Sequence, residues 1–205
     1  QRQMCIRDRL RLIDYLSYNK KGINPYSIFD MQLSIMHESK RQILNALSIA
    51  YQFYYLRDNS NAYFIPTTYI FSGKANEGYF IAKETIKFIF ALKKLIESDK
   101  FIREKIKILF VEDLSVGDLR HLYPAADIYS NLNHPLLDNQ NFDVLNSLFN
   151  MTNLISSRGG ITENIDKKAD FYLVGDSYLE LKSMKENNFY NANDFIYQNE
   201  IVKYT

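Results

Sequence analysis

Cysteine is all but missing from this chain of 205 residues, which carries Cys5 and no other. A single thiol excludes a disulfide framework and a cysteine-based metal site. An excess of either charge is missing too, with 25 Lys and Arg against 24 Asp and Glu and a net charge of +1. Binding of polyanions rests on a clustered surplus of Lys and Arg, so the balance argues against a nucleic-acid partner. No apolar run approaches the roughly 18 residues of a membrane-spanning helix. No G-x-G-x-x-G occurs anywhere. What remains is ordinary: 46% hydrophobic and 24% charged residues, near the globular average. A chain of this length buries about 70% of the surface its unfolded form exposes, enough for a core of its own. These figures predict a soluble, cytoplasmic globular unit with no membrane partner.

The first nine residues, Gln1 to Arg9, resemble a translated sequencing-adapter peptide, and Met4 stands only three residues in. No apolar segment follows the arginines, so they do not read as a signal peptide. Residues 1–9 are therefore set aside from the fold reading as an expected artefact, and Cys5 goes with them. On that expectation the chain is a fragment whose N-terminal part is lost, and the domain proper is 10–205.

Hydrophobic periodicity predicts alternating elements. Residues 10–18 read as a short helix, broken by Gly22 and by Pro25, which disfavours helix at Asn24. Residues 29–33 alternate apolar and polar side chains, as a strand does. A long helix is expected over 38–56, with Ile43, Leu44, Leu47, Ala50 and Tyr54 on its apolar face. The same grammar repeats: a strand at 67–71, a turn at Ser72 and Gly73, and a helix at 82–96 carrying Phe88, Ile89, Leu92, Leu95 and Ile96. Residues 106–111 are nearly continuously apolar, as expected of a strand covered on both faces. A short helix at 113–121, a strand at 125–129, a helix at 142–151, a strand at 171–174 and a closing helix at 193–202 complete the reading. Strands alternating with helices predict an α/β fold with a Rossmann-like parallel sheet and flanking helices.

Short motifs carry no chemistry. His37 and Glu38 would open a zinc-protease motif, but position 41 is Arg where the second His is needed. Gly73 and Lys74 follow a strand without the upstream glycine or the following Ser or Thr of a P-loop. Asn150-Met-Thr152 matches a glycosylation acceptor, with no secretion signal to give it meaning. Residues 83–107 hold eight basic and four acidic side chains, which read as a solvated helix face.

Longer blocks say more. Residues 23–42, INPYSIFDMQLSIMHESKRQ, resemble the run N-P-x-S-L-F-D-V-Q-V-K-R-I-H-E-Y-K-R-Q of the α-glucan (glycogen, maltodextrin) phosphorylases. Residues 66–79, PTTYIFSGKANEGY, are similar to that family's P-R-T-V-x-I-G-G-K-A-A-P-G-Y. The likeness continues at 108–112 and 124–127, in step and without a gap from about 23 to 130, with weaker echoes at 171–175 and 190–192. The resemblance implies the C-terminal, Rossmann-like half of a GT-B glycosyltransferase fold. It implies phosphorolysis of α-1,4-glucan to glucose 1-phosphate, using pyridoxal phosphate held on a lysine.

The family's cofactor segment, T-A-G-T-E-A-S-G-T-G-N-M-K-F, corresponds here to residues 134–147, HPLLDNQNFDVLNS. By that correspondence Asn146 stands where the Schiff-base lysine belongs, and an amide forms no imine. No lysine occurs between Lys107 and Lys167. Ser34 and Ile35 replace a lysine at the cofactor phosphate and an arginine at the substrate phosphate. Ser39 replaces a tyrosine, and Leu114 with Ser115 a Tyr-Arg pair. Phe142 and Asp143 replace a Thr-Gly phosphate cradle, and a carboxylate there would repel a dianion. Asp138 stands for a glucose-facing glutamate. Of the phosphate-facing positions only His37 and Lys40 are retained. Lys40 without an arginine partner binds phosphate weakly, and His37 reads as a residue that orients a loop. Gly73, Gly78 and Tyr79 read as scaffold, the glycines supplying backbone freedom at a strand-to-helix turn.

Core positions persist while cofactor and phosphate contacts are replaced together. That pattern predicts a folded, non-catalytic homologue without pyridoxal phosphate or metal, serving as a glucan-associated protein or as a subunit of a homo- or hetero-dimer. The alternatives are an active α-glucan phosphorylase or related glycosyltransferase with a rebuilt site, and an inert remnant. An active enzyme would have to replace positions 34, 35, 39, 114, 115, 143 and 146 at once.

Overall fold

The computed structural model describes residues 2–16, 22–137, 142–163 and 171–187. The expected closing helix at 193–202, the echo at 190–192 and Asp138 lie outside them. Among the described residues six parallel strands form one sheet: β1 (Ile28–Leu33), β2 (Thr67–Ser72), β3 (Ile106–Val111), β4 (Ile128–Asn131), β5 (Asn153–Ser157) and β6 (Phe171–Val174). Their order is β3-β2-β1-β4-β5-β6. The chain winds outward from β1 to β3, then returns to lay β4 along the other side of β1. Crevices that bind ligands open at such a switch point, at the carboxyl ends of the strands.

Among the described residues six helices flank the sheet: α1 (Arg2–Tyr15), α2 (Gln42–Asp58), α3 (Phe80–Ser98), α4 (Val116–Ala125), α5 (Phe142–Phe149) and α6 (Tyr178–Glu186). One face packs Tyr69, Phe71, Ile106 and Ile108 against α2 and α3 through Ile49, Phe53, Ile89 and Leu92. The other packs Phe29, Met31, Leu33 and Leu109 against Leu12 of α1, Leu122 of α4 and Val144 of α5. Covering both faces explains the apolar run of β3.

The structure corrects several boundaries. The helix expected over 38–56 is two elements, a 3-10 turn at Glu38–Lys40 and then α2, separated by Arg41 in the left-handed region (φ 51°). The apolar face assigned to that helix is also wrong. Ile43, Leu47 and Tyr54 are exposed, whereas Gln42, Asn45, Ser48 and Gln52 are buried beside Ala46, Ile49, Phe53 and Leu56. The buried polar row exists because β1 turns Asp30 and Gln32 toward it. Asn45 donates to Gln32 Oε1 (3.0 Å), Tyr69 donates to Gln52 Oε1 (2.6 Å), and Ser130 donates to Asp30 Oδ1 (2.8 Å).

The strand expected at 125–129 begins at Ile128, because Ala125 still belongs to α4 and Ala126 caps it. That helix starts at Val116 rather than 113, where Ser115 and Asp118 form a reciprocal capping box. Two elements escaped the sequence reading, β5 and α6. The helix expected at 142–151 stops at Phe149, and Met151 turns the chain with φ 56°. Residues 2–9, set aside above, lie in α1. Arg9 is buried, donates to the carbonyls of Pro25 and Ser27 (3.0 Å each) and pairs with Asp127.

Candidate functional site

The loops after β1 and β4 meet at the switch point. After Leu33 the chain runs through half-buried Ser34, exposed Ile35 and buried Met36, which anchors the loop. The Gln42 amide donates to Ile35 O (2.8 Å), so this loop is tied to the start of α2. Gly73, just past β2, has φ +147°, and a Cβ there would lie 2.5 Å from Ser34 O and 2.8 Å from Met36 Cγ. Its absent side chain lets the two loops touch. Gly78 has open space and no positive φ, so the backbone freedom expected of it is not used.

His37 is an N-cap. Its Nδ1 accepts from Ser39 N (3.1 Å) and lies 2.8 Å from Ser39 Oγ, while its ring tilts against Tyr79 at 5.1 Å. The Tyr79 hydroxyl accepts from Glu38 N (3.2 Å). Ser39 is buried, and its carbonyl accepts from His134 N (2.6 Å), joining the β1 and β4 loops directly. The Lys40 carbonyl accepts from Gln32 Nε2 (3.0 Å), and its side chain is half-buried.

Arg41 is the residue that the sequence reading undervalued. Its guanidinium donates to Leu132 O (2.6 Å), Asn133 O (2.9 Å) and Ser157 Oγ (2.9 Å), spanning the ends of β4 and β5. This reach accounts for the left-handed backbone that breaks the predicted helix. Asn133, buried beneath it, has a side-chain Nδ2 without a hydrogen-bond partner. Burial and the nearby Arg41 push the His134 imidazole below its ordinary pKa.

On α5, Asp143 faces Tyr123 of α4. The Tyr123 hydroxyl donates to Asp143 Oδ1 (2.9 Å). Burial, reinforced by the Asp143 charge, raises the Tyr123 pKa and keeps the hydroxyl protonated. The Tyr123 ring tilts on Tyr129 at 5.8 Å, and the Tyr129 hydroxyl donates to Leu33 O (2.9 Å). This cluster therefore abuts the end of β1, one residue from Ser34. Phe142 is exposed. Leu114 packs partly into the core, and Ser115 is taken up in the α4 cap. No signal in the sequence singled out Tyr123 or Tyr129, since aromatic residues next to strands read as core.

Among the described residues no three His, Cys, Asp or Glu side chains gather as a metal site, and no helix is long and apolar enough to cross a membrane. A family model described as carbohydrate phosphorylase matches residues 2–205. The chain is similar to glycogen phosphorylase of Bacillus subtilis, 29% identical over 181 residues, covering 87% of this chain and 23% of that protein. It is similar to the muscle form of glycogen phosphorylase of Bos taurus, 27% identical over 192 residues, covering 92% of this chain and 23% of the relative. Glycogen phosphorylase of Chlamydia pneumoniae is 38% identical over 113 residues, which cover 54% of this chain and 14% of that protein. The chain thus spans about a quarter or less of these relatives' length.

Proposed function

The chain belongs to the carbohydrate phosphorylase family, and from that membership we propose that it is a phosphorylase-like homologue that holds no pyridoxal phosphate and carries out no phosphorolysis. The observation that carries the reading is the state of α5. Asn146 stands at the position of the family's imine-forming lysine, and Asp143 on the same helix accepts from the Tyr123 hydroxyl (2.9 Å). An amide offers no nucleophilic amine. The Asp143 carboxylate, at a position where the family cradles the cofactor phosphate, adds like-charge repulsion toward a dianion. The residues here do not fit the cofactor, and no step is routed through it.

The neighbouring loop supports the same reading. Ser34 and Ile35 carry no positive charge, and the Ile35 side chain is exposed. His37 Nδ1 is engaged with Ser39, which suits loop capping rather than proton transfer. Lys40 is the one basic side chain retained among the phosphate-facing positions. The proposed role is that of a cytoplasmic, glucan-associated protein, or of a subunit in a homo- or hetero-dimer.

Titration of the full chain with pyridoxal phosphate, followed by imine absorbance, tests the proposal. The expected result is no saturable signal. Saturable, stoichiometric imine formation would instead favour an active phosphorylase with a rebuilt site.

A further inference from the structure

We infer that Tyr123 and Asp143 form a hydrogen-bonded latch that pins α5 to α4 and the sheet. The inference deepens the reading above and rests on it in one respect, that no cofactor lies between α5 and its neighbours.

The need for a latch follows from how little else holds α5. The helix is eight residues long, and helices this short are marginal without tertiary support. Its buried residues are Val144 and Ser147, whereas Phe142 and Phe149 at its two ends are exposed. Its apolar fastening is Val144 in the core with Leu148 packed against it. Asp143 Oδ1 accepts from the Tyr123 hydroxyl (2.9 Å).

The other end of the latch is anchored. Tyr123 is 4% exposed and lies in α4. Its ring rests on Tyr129 of β4, and the Tyr129 hydroxyl is fixed to Leu33 O of β1. Force on α5 is carried through α4 and β4 into the centre of the sheet. A hydroxyl donating to a carboxylate is among the stronger hydrogen bonds a protein makes, and more so when shielded from water.

Native-state hydrogen exchange on the full chain tests this, comparing it with Tyr123→Phe and Asp143→Asn. The expected result is that amides at 144–149 exchange about tenfold faster or more in Tyr123→Phe. Asp143→Asn, which leaves Tyr123 in place and offers its hydroxyl a neutral acceptor, speeds the same amides by a smaller factor. Amides of β2 and α3 keep their rates in both. Unchanged exchange in α5, or an equal acceleration everywhere, overturns the latch. Failure of the latch leaves the functional proposal standing, because pyridoxal phosphate uptake is measured separately and only stoichiometric uptake contradicts that proposal.

Discussion

A methyl group on Gly73 would lie 2.5 Å from the carbonyl oxygen of Ser34, so the loops after β1 and β2 fit together only because position 73 has no side chain. The contact is backbone to Cβ and cannot be relieved by a rotamer change. Gly73→Ala is expected to lower stability by about 2 kcal/mol or more, from the clash and the strained φ together. Gly78→Ala, with nothing within 4 Å of the added carbon, is expected to change stability by less than about 0.5 kcal/mol. Urea denaturation of the two variants side by side checks the difference.

Arg41 ties three strand-end groups, Leu132 O, Asn133 O and Ser157 Oγ. A lysine has one donor centre and cannot reproduce the planar fork. Arg41→Lys is expected to cost about 2 kcal/mol and Arg41→Ala about 3 kcal/mol, since both leave buried carbonyls unpaired. Equal stability of Arg41→Lys and the parent in thermal unfolding would contradict this role.

Arg9 binds the carbonyls of Pro25 and Ser27 and pairs with Asp127, whose Oδ2 accepts from Phe29 N (2.7 Å). Arg9→Met is expected to lower stability by about 2–4 kcal/mol, because it leaves the Asp127 carboxylate partly buried without its cation. Removal of residues 1–9 is expected to cost at least as much. Chemical denaturation of both forms measures it.

Asp30 is buried with Ser130 Oγ as donor, and burial pushes its carboxyl up from 3.8 to about 7. The folded state holds the proton more tightly than the unfolded chain. The resulting stability is fully present below pH 3.8 and is lost as pH rises through about 7. Between those values the expected slope from this group approaches about 1.4 kcal/mol per pH unit. Asp30→Asn keeps an acceptor for Ser130 and is expected to remove that slope. Parallel pH profiles in parent and variant between pH 4 and 7 would contradict it.

The parallel α/β plan was legible because strands such as 106–111 and helices such as 82–96 carry strong, uninterrupted patterns. Element boundaries were less so where tertiary contacts overrule local preference. Arg41 breaks a helix-like run because its guanidinium is needed at β4 and β5. The outward face of α2 carries Ile43, Leu47 and Tyr54 because its inward face answers Asp30 and Gln32 with amides. β5 has only Leu154 and Ile155 as apolar residues, too weak a signal against its polar neighbours. α6 opens on a capping box from Ser177 to Glu180, but its largely polar sequence buries Leu181 alone and offers no apolar face to read. At the candidate site, motif comparison located the loop at 34–40 and the positions 143 and 146. Tyr123, whose hydroxyl holds Asp143, came from the structure alone.

The central claim is that this chain forms no imine with pyridoxal phosphate. The most direct measurement incubates the full chain with pyridoxal phosphate, reduces it with borohydride and maps pyridoxyl-lysine by mass spectrometry. The account predicts a folded protein with no stoichiometric adduct. A stoichiometric adduct at a single lysine would contradict it.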